Sequence, residues 1–101
     1  MKKALFISAA TLLMATNALA DRSGEEVYKA ACLFCHAQGV MNAPKYGDAK
    51  AWEPRIAQGM DALYNSALNG KGQIMQPRGG CMNCTDNELK AAVDYMVKSA
   101  K

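Results

Sequence analysis

The chain has 101 residues, with 12 Lys and Arg against 9 Asp and Glu, and 4 Cys. That length holds one small domain, and a formal net charge of +3 with no charge block excludes the electrostatic footprint of a nucleic-acid binder. No stretch approaches the roughly 20 consecutive apolar residues of a membrane span, so no stable membrane anchor is expected.

The first 20 residues read as a leader rather than as part of the domain. Met1-Lys2-Lys3 is a positive start, Ala4 to Leu13 is mostly apolar, and Ala18-Leu19-Ala20 supplies small residues around a larger one. This is the layout of a secretory signal peptide cleaved after Ala20. No Cys follows the cleavage site, so nothing predicts a lipidated N-terminus. The expected division is residues 1–20 as a cleaved leader and 21–101 as one domain, exported to the periplasm. Without Lys2 and Lys3 the domain keeps ten cations against nine anions and is nearly neutral.

Ser23-Gly24-Glu25-Glu26 is a capping box, with Ser23 as cap and Glu26 at the third helical position. It predicts a helix from about Gly24 to about Phe34. Gly39 and Pro44 interrupt the chain, and residues 37 to 51 read as loop. A short helix is expected around Ala51 to Ala57, with Pro54 near its first turn. Met60, Leu63, Tyr64, Ala67 and Leu68 recur at helical spacing up to the stop at Asn69-Gly70. Gly70, Gly72, Pro77, Gly79 and Gly80 make residues 69 to 80 an irregular loop. Thr85-Asp86-Asn87-Glu88 is a second capping box, opening a helix whose stripe is Leu89, Ala92, Val93, Met96 and Val97. No alternating strand pattern appears, so the class is all-α. A domain this small buries a modest core and commonly adds a disulfide, a metal or a cofactor as a staple.

Cys32-Leu33-Phe34-Cys35-His36 names the staple. C-x-x-C-H is the attachment signature of c-type haem. Two Cys three apart at a helix end project from nearly one face, so each thiol can add to one vinyl group of a single haem. His36, the only histidine in the chain, follows directly and can ligate the iron as neutral imidazole. Three other readings compete. One is a thioredoxin-like dithiol, which expects a βαβ context absent here. The second is a zinc site from both C-x-x-C pairs, although 45 residues separate them. The third is a plain Cys32–Cys35 disulfide with an incidental His36.

With one histidine, a second axial ligand from this chain must be another residue type, and methionine is the obvious soft donor. Met60 and Met96 lie on apolar helix stripes, Met41 follows His36 too closely, and Met82 is pinned between Cys81 and Cys84. Met75, in the loop two residues before Pro77, remains as the expected sixth ligand.

Four stretches now carry a resemblance. The first runs from Ala30-Ala31-Cys32 through His36, Gly39 and Ala43-Pro44-Lys45, and the second is Trp52-Glu53-Pro54-Arg55-Ile56-Ala57-Gln58-Gly59-Met60. The others are Leu68-Asn69-Gly70-Lys71-Gly72 and Met75-Gln76-Pro77-Arg78-Gly79-Gly80-Cys81-Met82-Asn83-Cys84. Together they resemble the bacterial cytochrome c5 family, small class I cytochromes c, over essentially the whole of residues 21–101. The late C-x-x-C is that family's mark; Gln76, where the family commonly has Pro after the ligand Met, is a departure.

The resemblance implies helices packed around one covalently bound haem c, with roughly three to five of them in such a small all-α domain. It implies that Pro44 offers its carbonyl to the His36 ring N–H, and that Gly24 and Tyr28 meet the last helix near Tyr95. Trp52 and Arg55 are its candidates for haem propionate contacts. Cys81 and Cys84, with no His after them, are expected to form a structural disulfide, with a redox-active dithiol as the alternative.

A haem with both axial positions filled transfers electrons rather than making bonds. The expected function is a periplasmic one-electron carrier. It would run between a membrane dehydrogenase or cytochrome complex as donor and a terminal oxidase or reductase as acceptor. A small peroxidase-like haem enzyme or ligand sensor, and a structural haem subunit of a larger redox complex, are the alternatives.

Overall fold

The computed structural model describes residues 21–101, so the leader and its cleavage after Ala20 lie outside the described residues. Helix α1 opens on the reciprocal box: the Ser23 hydroxyl accepts from the Glu26 N–H at 3.2 Å, and the Glu26 carboxylate accepts from the Ser23 N–H at 2.9 Å. It runs as α-helical Gly24–Val27, π-helical Tyr28–Cys32 and α-helical Leu33–His36. In the π segment the Leu33 N–H donates to the Tyr28 carbonyl five residues back. The helix thus outlasts its expected end at Phe34 by one half-turn, and Cys35 and His36 sit on it rather than beyond it. π-Helical turns concentrate at functional sites because they re-aim side chains within an otherwise regular helix.

A 3-10 turn at Val40–Asn42 follows, then α2 at Ala49–Ile56. α2 begins two residues before the expected Ala51 because Asp48 caps it, accepting from the Ala51 N–H at 3.2 Å. Pro54 therefore lies in the second turn, not the first, where it forfeits one intrahelical bond. Helix α3 is Met60–Asn69, bounded by Gly59 and Gly70. A 3-10 turn occupies Pro77–Gly80, and α4 is Asp86–Ser99. Thr85 caps α4 through the second box, its hydroxyl accepting from the Glu88 N–H at 3.0 Å while Glu88 accepts from the Thr85 N–H at 2.8 Å. Among the described residues the only β pairing is an isolated bridge between Lys71 and Met75, so the protein is all-α.

The core lies where α1 crosses α4. A Cβ built on Gly24 would overlap the backbone carbonyl of Ala91, so only glycine lets the two backbones touch. Val27 and Tyr28 pack there against Leu89, Ala92, Val93, Met96 and Val97, joined by Trp52 of α2 and Ala67 of α3. Tyr28 also meets Tyr95 at 5.4 Å and Tyr46 at 5.1 Å between ring centroids. The segment before α1 is tied to the start of α4. The Arg22 Nε and backbone N–H each donate to Glu88 Oε2 at 2.8 Å. Arg22 thus holds the Glu88 carboxyl down at about 2, with the Thr85 N–H contributing. Fixing both ends of this crossing fixes where the last turn of α1 points.

Candidate cofactor site

That last turn carries Cys32, Cys35 and His36. Cys32 and Cys35 form no disulfide, and both are half-buried at the wall of a cleft. Burial, with some repulsion from Cys35, pushes the Cys32 thiol up to about 11. His36 is buried, and its Nδ1 lies 2.9 Å from the Pro44 carbonyl. A carbonyl only accepts, so Nδ1 carries the proton and Nε2 keeps a lone pair free for a metal. Burial lowers the pKa of His36; the Pro44 bond opposes this and the nearby Arg55 guanidinium adds to it. The ring is stacked on Trp52, centroids 5.9 Å apart, and the His36 carbonyl accepts from the Tyr46 N–H at 2.7 Å. Nitrogen, ring plane and backbone are therefore all held by groups outside α1.

Met75 stands on a short reversal of the chain. The Lys71 N–H donates to the Met75 carbonyl at 2.8 Å, and the Met75 N–H donates back to the Lys71 carbonyl at 3.3 Å. Gly70 makes the reversal possible. Its φ is +86°, and a Cβ there would come within 2.9 Å of the Met75 carbonyl oxygen and 3.0 Å of the Pro77 nitrogen. Three cavities share walls between this loop and α1, with volumes of about 750, 250 and 80 Å³. Among the described residues, His36 and Met75 are the only ones that line all three. The largest falls in the range of roughly 300–1,000 Å³ typical of cofactor clefts.

The donor set suits a haem and not a bare ion. An imidazole nitrogen and a thioether sulfur are haem-iron ligands, and the two thiols sit at one edge of the same cleft. The four-cysteine zinc arrangement is not formed, because Cys81 and Cys84 are bonded to each other as a disulfide. Among the described residues no group of three or more His, Cys, Asp or Glu could hold a metal ion. Around the disulfide, Arg78 donates to the Cys84 carbonyl at 2.7 Å and pairs with Asp86 at 3.0 Å. This joins the turn after Met75 to the start of α4.

A family described as "Cytochrome C oxidase, cbb3-type, subunit III" matches residues 19–96. The chain is 44% identical to cytochrome c5 of Azotobacter vinelandii over 77 residues, 74% of this chain and 92% of that one. It is also 44% identical to cytochrome c-555 of Chlorobaculum tepidum over 105 residues, 95% of this chain and 97% of that one. The chain belongs to the cytochrome c5 family. Two solved structures agree in fold. One, the cytochrome c of an electron-transfer complex with nitrite reductase, is 52% identical, with a TM-score of 0.73 over 80% of this chain and 98% of that one. The other, a mono-heme ferrocytochrome c from Shewanella putrefaciens, is 42% identical, with a TM-score of 0.66 over 78% and 98%.

This cytochrome is therefore an electron-transfer protein and not an enzyme, and it uses haem c. Trp52 lines the smallest of the three cavities; its indole N–H donates to the Lys45 carbonyl at 3.0 Å, and its ring backs His36. Arg55 also lines the cleft, and its guanidinium donates to the Ala51 and Asn42 carbonyls at 2.7 and 3.3 Å. Sequence reading missed Lys71, which lines two of the three cavities, and Tyr46, whose N–H holds the His36 carbonyl. Lys71 had a signal, since it lies four residues before Met75 in a glycine-rich loop. Tyr46 had none, because a backbone donor can be any residue but proline.

Proposed function

We propose that this cytochrome is a periplasmic one-electron carrier. In this reading one haem is attached through thioethers to Cys32 and Cys35, with His36 Nε2 and Met75 sulfur as axial ligands. The supporting observation is that, among the described residues, His36 and Met75 alone border every chamber of the cleft, with the two cysteine sulfurs on its wall. When bound, the haem supplies a reversible one-electron couple. The chain does the rest. The Pro44 carbonyl and the Trp52 ring keep His36 neutral and aimed. The Lys71–Met75 backbone pair keeps the sulfur at a fixed place, so little reorganises when charge changes. Thioether attachment keeps the group from being lost after export, with the leader cleaved after Ala20. Met ligation and burial both favour the reduced form.

The donor in this reading is a membrane dehydrogenase or cytochrome complex. The acceptor is a terminal oxidase or reductase, and the nitrite reductase complex of a 52% identical neighbour supports a reductase. The family description naming an oxidase subunit favours a second reading, a haem subunit of a larger assembly. Against it, the relatives in the two curated comparisons are covered over 92% and 97% of their own length, so they too are single small domains. Elution of the native protein as a free small species on size exclusion separates the two.

Mass spectrometry of acid-denatured protein from cells competent in cytochrome c maturation should give residues 21–101 plus one haem. A bare chain mass overturns the reading. Met75→Ala should abolish the sulfur-to-iron charge-transfer band, lower the reduction potential and admit cyanide. Loss of the band on Met60→Ala instead would move the ligand to α3.

A further inference from the structure

We propose that Lys71, together with Arg55, forms the anion-binding inner end of the cleft and raises the reduction potential of the cytochrome by its charge. The inference rests on the haem reading above and adds a residue to it.

The charges around the cleft are unevenly placed. Among the described residues, three cationic side chains line its three cavities, and no carboxylate lines any of them. Arg22, in the large outer cavity, is committed to Glu88 at 2.8 Å and is electrically spent. The other two, Arg55 and Lys71, both line the two inner cavities, beside His36, Pro44 and Met75. The Arg55 guanidinium is held only by the neutral carbonyls of Ala51 and Asn42. The Lys71 ammonium takes part in no ion pair among the described residues. Among the described residues, two cations without a carboxylate partner thus share one end of a mostly apolar slot.

Two unpaired positive charges beside a low-dielectric cavity are an anion site. A haem held through its vinyl groups at the cysteine edge has its two carboxylates to place elsewhere on its rim. The inner end is where this chain offers counter-charges. The backbone from which the exposed Lys71 side chain projects is held in place, because its N–H and carbonyl are both bonded to Met75. One five-residue reversal therefore presents the sulfur ligand and a cation on the same side of the cleft. A positive charge near the iron favours the state holding one more electron, so deleting it makes reduction harder.

The test is the midpoint potential of the haem-loaded full protein, by spectroelectrochemical titration at low ionic strength. Lys71→Met should shift the reduction equilibrium roughly three- to tenfold toward the oxidised form, tenfold being about 59 mV for one electron. Lys71→Arg should restore the wild-type potential, and added salt should narrow the gap between wild type and Lys71→Met, since exposed charges are screened. The sulfur-to-iron band should persist in both variants. An unchanged potential in Lys71→Met with the band intact overturns the proposal while leaving the carrier reading standing. Loss of the band in Lys71→Arg also overturns it, since the lysine would then act by shaping the loop. A wild-type protein without haem would bring down the carrier reading and this inference together.

Discussion

Replacing Gly24 by alanine tests whether the α1–α4 crossing positions the whole site. The added methyl would overlap the Ala91 carbonyl oxygen and would lie 2.7 Å from the Ala91 carbonyl carbon and 3.2 Å from Tyr95 Cβ. The first two are backbone atoms of a helix already packed into the core through its own Leu89, Ala92 and Val93, so no rotamer change relieves the clash. The helices must separate, and overpacking of this kind costs typically about 1–3 kcal/mol. Alanine is a better helix former than glycine by up to about 1 kcal/mol, but less so in a first turn, so the sign stays unfavourable. For a domain of this size each kcal/mol lowers the melting temperature by roughly 4–8 °C, giving a fall of about 5–20 °C. Far-UV circular dichroism of the haem-loaded protein on heating reads this directly. A Gly24→Ala protein that melts at or above wild type would refute the close-contact argument.

Two further results should follow. Changing Cys81 and Cys84 together to Ser should cost about 2 kcal/mol, the chain-entropy value for so short a loop, and leave the haem spectrum intact. Loss of electron transfer at unchanged stability and spectrum would instead mark the pair as redox-active. Glu88, held at about 2 in the folded protein against an ordinary 4.5, stabilises the fold fully above about pH 4.5 and loses that contribution as pH falls toward 2. Glu88→Gln should therefore be less stable at neutral pH and show a flatter decline in denaturant midpoint between pH 5 and pH 2 than wild type. Parallel declines would remove the Arg22–Glu88 pair from the account.

The sequence by itself determined whatever depends on residues a few places apart. Cys32, Cys35 and His36 share a helix end through their spacing alone, and Ser23 with Glu26 and Thr85 with Glu88 announce their helices because cap and carboxylate are one turn apart. The apolar stripe of α4 was legible for the same reason, since a 3.6-residue period is a local property. Tertiary structure decided what depends on chain segments meeting. No local rule says that the indole N–H of Trp52 goes to the Lys45 carbonyl, that Arg22 reaches across to Glu88, or that Lys71 and Arg55 end up at one end of the cleft. The π-helical turn at Tyr28–Cys32 was equally invisible, because residues of this kind fit a regular α-helix as well. Even Met75, singled out by eliminating other methionines, gained its place on the same cleft as His36 from the reversal at Gly70 and the crossing at Gly24. At Gly24 the contact joins backbones distant in sequence, and excluded volume makes glycine the residue there; at Gly70 the crowding by Met75 and Pro77 adds to a left-handed φ of +86°.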